Sequence, residues 1–165
     1  MIESERSFLV RALPDVSRAE KKDIAQHYLS EGPDPIRIRH AASPTLTYRE
    51  LTKKVTIDEN DPSRKDEINI PLTPDEYARL LSLALRGLEK TRYLLPLDGG
   101  YVAEADVFHG PLEGFVKVEV EFADEAARAA FVPPAWFGRE VTQEGWAKNS
   151  SLAGKSFADI VSHLE

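Results

Sequence analysis

The sequence contains no cysteine, which excludes a disulfide scaffold, a thiolate metal site and a cysteine nucleophile. It also lacks a basic excess. Its 21 Lys and Arg stand against 28 Asp and Glu, a formal net charge of −7, the reverse of a nucleic-acid-binding module. No apolar run approaches the ~20 residues that cross a bilayer as a helix. Met1-Ile2-Glu3-Ser4-Glu5-Arg6 lacks the basic-then-apolar order of a secretory signal. No nucleic acid, no membrane partner and a cytoplasmic setting are therefore the expectations. Internal repeats, low-complexity tracts and Gly/Ser linkers are missing too, so residues 1–165 read as one domain. With 42% hydrophobic and 30% charged residues, a folded core and a solvated surface are both available.

What the chain does have is alternation with a period of two, the mark of strands with one polar and one apolar face. Ile36-Arg37-Ile38-Arg39 puts arginines opposite isoleucines. Phe115 to Phe122 sets Val116, Val118, Val120 and Phe122 against Lys117, Glu119 and Glu121, and Val102 to Phe108 sets Glu104 and Asp106 against Ala103, Ala105 and Val107. Glu3–Val10, Ala25–Ser30, Leu46–Thr56, Lys65–Ile70 and Glu89–Leu95 complete about eight candidate strands. Helical signals are fewer. Thr73-Pro74-Asp75-Glu76 opens a helix running toward Leu85, with Gly87 placed to stop it. Asp124–Phe131 reads as a short helix ended by Pro133-Pro134, and Gln143–Leu164 as one or two helices broken near Gly154. The class is α+β, an antiparallel barrel or sandwich.

The polar faces carry the functional signal. Glu3/Glu5, Glu104/Asp106 and Glu119/Glu121 are acidic pairs at i, i+2; Arg37/Arg39 and Lys90/Arg92 are basic pairs at the same spacing. Solvated faces with cross-strand ion pairs would explain any one of them at ~1 kcal/mol or less. Together, turned into one barrel, they would bury charges whose missing partner is a polyanion with divalent cations. Arginine and lysine grip phosphate oxygens, and carboxylates hold Mg²⁺ or Mn²⁺.

In this order the segments resemble the CYTH superfamily, the triphosphate tunnel metalloenzymes. Glu3-Ser4-Glu5-Arg6-Ser7 resembles the family's ExExK signature with serine in the lysine's place. Arg37/Arg39, Leu51-Thr52-Lys53-Lys54, Lys90-Thr91-Arg92-Tyr93, Glu104-Ala105-Asp106 and Glu119-Val120-Glu121 resemble its later strands. Pro134 to Thr142, with Asn149 and Leu152-Ala153, resembles its C-terminal segment. The resemblance implies an eight-stranded antiparallel β-barrel forming a tunnel, helices packed outside and a C-terminal helix near one mouth. It implies catalytic roles for Glu3, Glu5 and Glu121, and Mg²⁺ or Mn²⁺ held by Glu3, Glu5, Glu104, Asp106, Glu119 and Glu121. Phosphate contacts fall on Arg37, Arg39, Lys54, Lys90 and Arg92, with Lys148 added if the C-terminal helix plugs a mouth. Alternation selects Lys54 over Lys53 and turns Glu67 inward.

The implied activity is metal-dependent cleavage of a triphosphate, foremost inorganic triphosphate, by a monomer or homodimer; a nucleoside triphosphate is the other substrate class. The alternatives are a class IV-type adenylate cyclase and a non-catalytic triphosphate- or polyphosphate-binding module, the latter because Ser7 removes a cation. Slow turnover, raised by Ser7→Lys, is the expectation, unless Lys148 or Lys65 already supplies that charge. His27, His40, His109 and His163 lack ligand spacing, and Trp136 and Trp146 read as packing anchors.

Overall fold

The computed structural model describes residues 4–58, 60 and 65–165. Nine strands form one antiparallel sheet: β1 (Glu5–Val10), β2 (Glu20–Tyr28), β3 (Arg37–Ala42), β4 (Thr47–Thr56), β5 (Lys65–Pro71), β6 (Arg86–Pro96), β7 (Val102–Phe108), β8 (Val116–Glu121) and β9 (Phe137–Glu140). Their order is β5-β4-β3-β2-β6-β7-β8-β1-β9. Among the described residues no ladder joins β5 to β9, so hydrogen bonds do not close the barrel; the sheet curls instead. Leu9 on β1 and Tyr28 on β2 lie four strand intervals apart, roughly 19 Å on a flat sheet. Both pack into one apolar cluster built around the C-terminal segment.

The ninth strand was not foreseen. Phe137–Glu140 is short and does not alternate clearly. It pairs with the far edge of β1, and Gly138 allows that approach, since a Cβ there would sit 3.1 Å from the backbone of Leu9. Gly87 is a second difference. It lies inside β6 across from His27 rather than ending a helix, and an added Cβ would meet the His27 ring at 2.2 Å.

Helix α1 (Pro74–Leu81) begins at the expected Thr73, which forms a capping box: Thr73 Oγ1 accepts from Glu76 N and the Glu76 carboxylate accepts from Thr73 N. It covers β3 and β4 through Tyr77, whose ring meets His40. Helix α2 (Glu125–Ala130), capped by Asp124, lies over the outer face of β1, β7 and β8. There Phe8, Ala103, Val118 and Val120 pack with Phe122, Phe131 and Phe137. Arg6 ties this layer down, donating to the carbonyls of Arg128 and Phe131 and to both oxygens of Glu140.

The C-terminal segment is not one long helix. Two short helices, α3 (Asn149–Leu152) and α4 (Phe157–Ile160), are joined through Gly154 at φ +81°. Ala147, Leu152, Ala153 and Ile160 bury themselves against Leu9, Tyr28, Leu88 and Phe108, so this segment plugs one end of the curled sheet. Arg86 fixes it from β6 by donating to Ser150 O at 3.1 Å. On the outer face, Val55, Ile68 and Ile70 face away from the charged side as alternation required, yet all three are exposed.

Candidate active site

Strand register brings the charged pairs onto one face. Glu5 stands across from Glu121, Ser7 across from Glu119, and Leu9 across from Lys117. Glu104 pairs with Glu119 and Asp106 with Lys117. Arg92 pairs with Asp106, Gln26 with both Leu88 and Arg39, and Arg37 with Thr52. Thr52 pairs with Asn69 and Lys54 with Glu67. Because side chains alternate strictly, all of these point to the inner side of the curl. Glu3, assigned to the same face by the sequence, lies outside the described residues.

The acidic half is densely cross-linked. Lys90 Nζ donates to Asp106 Oδ2 at 2.6 Å, with both side chains fully buried. Arg92 chelates Asp106 through Nε and Nη2 at 2.7 and 2.9 Å, reaches Glu119 Oε2 at 2.8 Å, and also bonds Glu104. Burial opposes all these charges, but for Arg92, Asp106 and Glu119 the partners decide the outcome. The carboxylates, Asp106 first, hold Arg92 well above its ordinary range against that burial. Lys90 and Arg92 hold Asp106 below its own, and Lys117 with Arg92 holds Glu119 well below. For Lys90 burial wins over Asp106 and lowers it to about 8. Glu104 goes the other way: burial raises it against the pull of Arg92, and Glu121, Glu119 and Asp106 add to the rise.

The basic half is under-satisfied. Arg37 is buried and donates through Nη2 to Thr52 Oγ1 at 3.1 Å, while its Nε has no acceptor. Among the described residues no carboxylate lies within 4 Å of it. Burial and then the neighbouring Arg39 push its guanidinium below the usual arginine value. Arg39 has an equally orphaned Nε and only a 3.9 Å approach to Glu50. Gln26, wholly buried between them and β6, gives its amide to Tyr28 Oη but leaves Oε1 without a donor. Lys54 faces Glu67 at 3.7 Å.

Lys148 is exposed. Lys65 is bound to Asp34 in the β2–β3 connection, near the opposite edge of the sheet from β1. Sequence reasoning passed over Gln26 and Asn69 on the inner face, and it turned Thr52 inward and set Lys117 beside Glu119 without giving either a role. Alternation gave the face of Lys117 but not its partners, Glu119 on its own strand and Ala147 in the C-terminal segment. Of the histidines, His27 and His40 sit on the outer face, His109 bonds Thr91, and His163 stacks on Trp146 at 4.7 Å.

The donor set suits a hard divalent cation that shares its coordination with phosphate. Two carboxylate pairs, Glu5/Glu121 and Glu104/Glu119, stand directly opposite each other, an arrangement whose like-charge repulsion a cation relieves, as Arg92 does between Glu104 and Glu119. Glu121 is exposed and Glu5 and Glu104 only half-buried, so their oxygens are accessible. Among the described residues no three such ligands form a ready-made cage. Mg²⁺ needs none, since it takes one or two carboxylates together with substrate oxygens. Asp106 fits least well, because it is fully buried and its oxygens receive three hydrogen bonds from Lys90 and Arg92; Glu119, met by Arg92 and Lys117, is the next most engaged.

One curled antiparallel sheet with carboxylates and guanidinium groups facing the same interior defines a class of phosphate-chain-binding proteins that work with divalent cations. Comparison with known proteins agrees. The chain is 40% identical over 156 residues to an inorganic triphosphatase from Nitrosomonas europaea, covering 93% of this chain and 97% of the relative. It is 43% identical over 73 residues to an inorganic triphosphatase from Acetivibrio thermocellus, a match covering 44% of this chain and 45% of that protein. The crystal structure of the inorganic triphosphatase NE1496 superposes with a TM-score of 0.68 at 35% identity, covering 93% of this chain and 95% of the other. No family model matches the chain. The chain belongs to the CYTH superfamily of triphosphate tunnel metalloenzymes.

Proposed function

We propose that this protein hydrolyses inorganic triphosphate to pyrophosphate and phosphate with the help of Mg²⁺ or Mn²⁺. The observation that carries this reading is the Arg37/Arg39 pair, two inward guanidinium groups with unused donors, on the same face as an acidic wall. A linear polyanion supplies acceptors to the first and brings its cations to the second. Arg37 and Arg39 grip one end of the phosphate chain, with Thr52 holding the Arg37 fork and Gln26 beside Arg39. Lys90 and Arg92, fixed by Asp106, present positive charge further along it. Glu5, Glu104, Glu119 and Glu121 would hold the metal, which would supply positive charge to phosphate oxygens and make a water more acidic.

In the reaction the oxygen of a water attacks the terminal phosphorus in line, and the bond to the bridging oxygen breaks. Glu5 and Glu121, at the more open end of the wall, orient that water and accept its proton. Arg92 and Lys90 stabilise charge gathering on the leaving pyrophosphate. A phosphate-release panel with tripolyphosphate, ATP and thiamine triphosphate tests the reading. Tripolyphosphate should be cleaved fastest and only with divalent metal. Cyclic AMP formed from ATP would instead indicate a class IV-type cyclase, and tight binding without phosphate release a non-catalytic module. Among the described residues no helix is long and apolar enough to cross a membrane.

A further inference from the structure

Ser7 leaves the first strand without a cation at the rung where it faces Glu119. On the other side of Glu119 stands another carboxylate, Glu104. Glu119 is nevertheless buried, so something must answer its charge. Arg92 answers one oxygen. The other, Oε1, is met at 2.9 Å by Lys117 Nζ. Lys117 starts one inward position nearer the plugged end on the same strand, diagonal to Ser7, and its ammonium reaches back to the Ser7–Glu119 rung. Only 2% exposed, it spends its remaining donors on Ala147 O at 2.9 Å and Asn149 Oδ1 at 3.4 Å in the C-terminal segment. An ammonium has three donors, and each finds an acceptor.

We propose that Lys117 delivers from β8 the positive charge that β1 lacks at Ser7, and that it acts as a positioning residue by fixing the Glu119 carboxylate between itself and Arg92. Ser7 and Lys117 thus share one electrostatic position that can be filled from either strand, but not from both. A surface cation would not do this. Lys148 is exposed and Lys65 is committed to Asp34, whereas Lys117 is buried, directional and anchored at its far side by the plug. The anchoring has a corollary: seating of the C-terminal segment and the posture of Glu119 are coupled through one ammonium group.

The proposal rests on the triphosphatase reading, and three variants separate the two. Lys117→Met should lower kcat by about 10²-fold, the scale for losing one preorganised electrostatic contact, with a much smaller change in KM. Ser7→Lys combined with Lys117→Met should recover at least about tenfold of that loss, while the affinity for tripolyphosphate measured by calorimetry in EDTA stays close to wild type in both variants. Ser7→Lys alone, which crowds two ammonium groups onto one rung, should gain less than about threefold in kcat and lower the melting temperature, as like charges at close range do. A folded double variant that stays as slow as Lys117→Met overturns the proposal. So does a tenfold gain from Ser7→Lys alone, which needs no change at Lys117 and decides the matter even if Lys117→Met fails to fold. Wild-type protein that releases no phosphate from tripolyphosphate would defeat the triphosphatase reading itself.

Discussion

The two halves of the inner face handle buried charge in opposite ways. Across β6, β7 and β8, Lys90, Arg92 and Lys117 are each matched to carboxylates of the same wall, and Arg92 alone touches Asp106, Glu119 and Glu104. Across β2, β3 and β4, Arg37 and Arg39 keep unused donors and Gln26 an unused acceptor. The electrostatics follow. Arg92 is held above its ordinary range by its partners, while Arg37 is pushed below it by burial and by Arg39. A matched network is rigid without ligand. An unmatched one is strained until an anion arrives. The first half supplies a fixed frame; the second supplies the affinity.

The largest expected effect comes from breaking the matched half. Asp106→Asn leaves Lys90 buried without its counter-ion, and losing one member of a buried pair costs about 3–5 kcal/mol. Urea unfolding monitored by tryptophan fluorescence should show that loss; a change below about 1 kcal/mol would mean the network is not cooperative. The next effect comes from satisfying the unmatched half. Tripolyphosphate with Mg²⁺ at a hundredfold excess over its dissociation constant should stabilise the fold by about 2.7 kcal/mol, visible as a rise in Tm. Orthophosphate at equal concentration should give far less, and equal shifts would mean general ionic screening rather than a site.

The smallest effect belongs to an ion pair on the outer layer, which calibrates the other two. Arg6 hydrogen-bonds Glu140 and holds its carboxyl below the ordinary value. A carboxylate depressed in the folded state adds stability that is full above the ordinary carboxylate pKa and lost as pH falls through the lowered one. Glu140→Gln should therefore cost no more than about 1 kcal/mol near neutrality and flatten the stability profile below about pH 4.5. A cost as large as that of Asp106→Asn would erase the distinction between inner and outer charges.

Much of this arrangement was legible in the residues. The period of two in Arg37/Arg39, Glu104/Asp106 and Glu119/Glu121 placed them on one face, and the register agrees. The caps at Thr73 and Asp124 were equally readable, because they depend on neighbours in sequence. What alternation cannot say is which partner a face residue finds. Alternation placed Lys117 beside Glu119 and Glu121 but could not show that β1, β7 and the C-terminal segment close around it. Gly87 looked like a helix stop because its requirement, room for the His27 ring, comes from another strand. The ninth strand depends on a docked edge and not on its own pattern, and the C-terminal helices are short because their burial is set by the end of the sheet they fill.

The central claim is that Arg37 is held for a ligand and not for the fold. The direct measurement is Arg37→Met, read twice on the same preparation: unfolding free energy without ligand, and tripolyphosphate affinity by calorimetry. Removing a buried cation that has no carboxylate within 4 Å among the described residues should leave the ligand-free protein as stable as before or more so, because its desolvation is then avoided. Affinity should fall at least about tenfold, on the scale of one charge-assisted contact worth about 1.5–3 kcal/mol. A ligand-free protein destabilised by several kcal/mol, with tripolyphosphate affinity unchanged, would contradict the account.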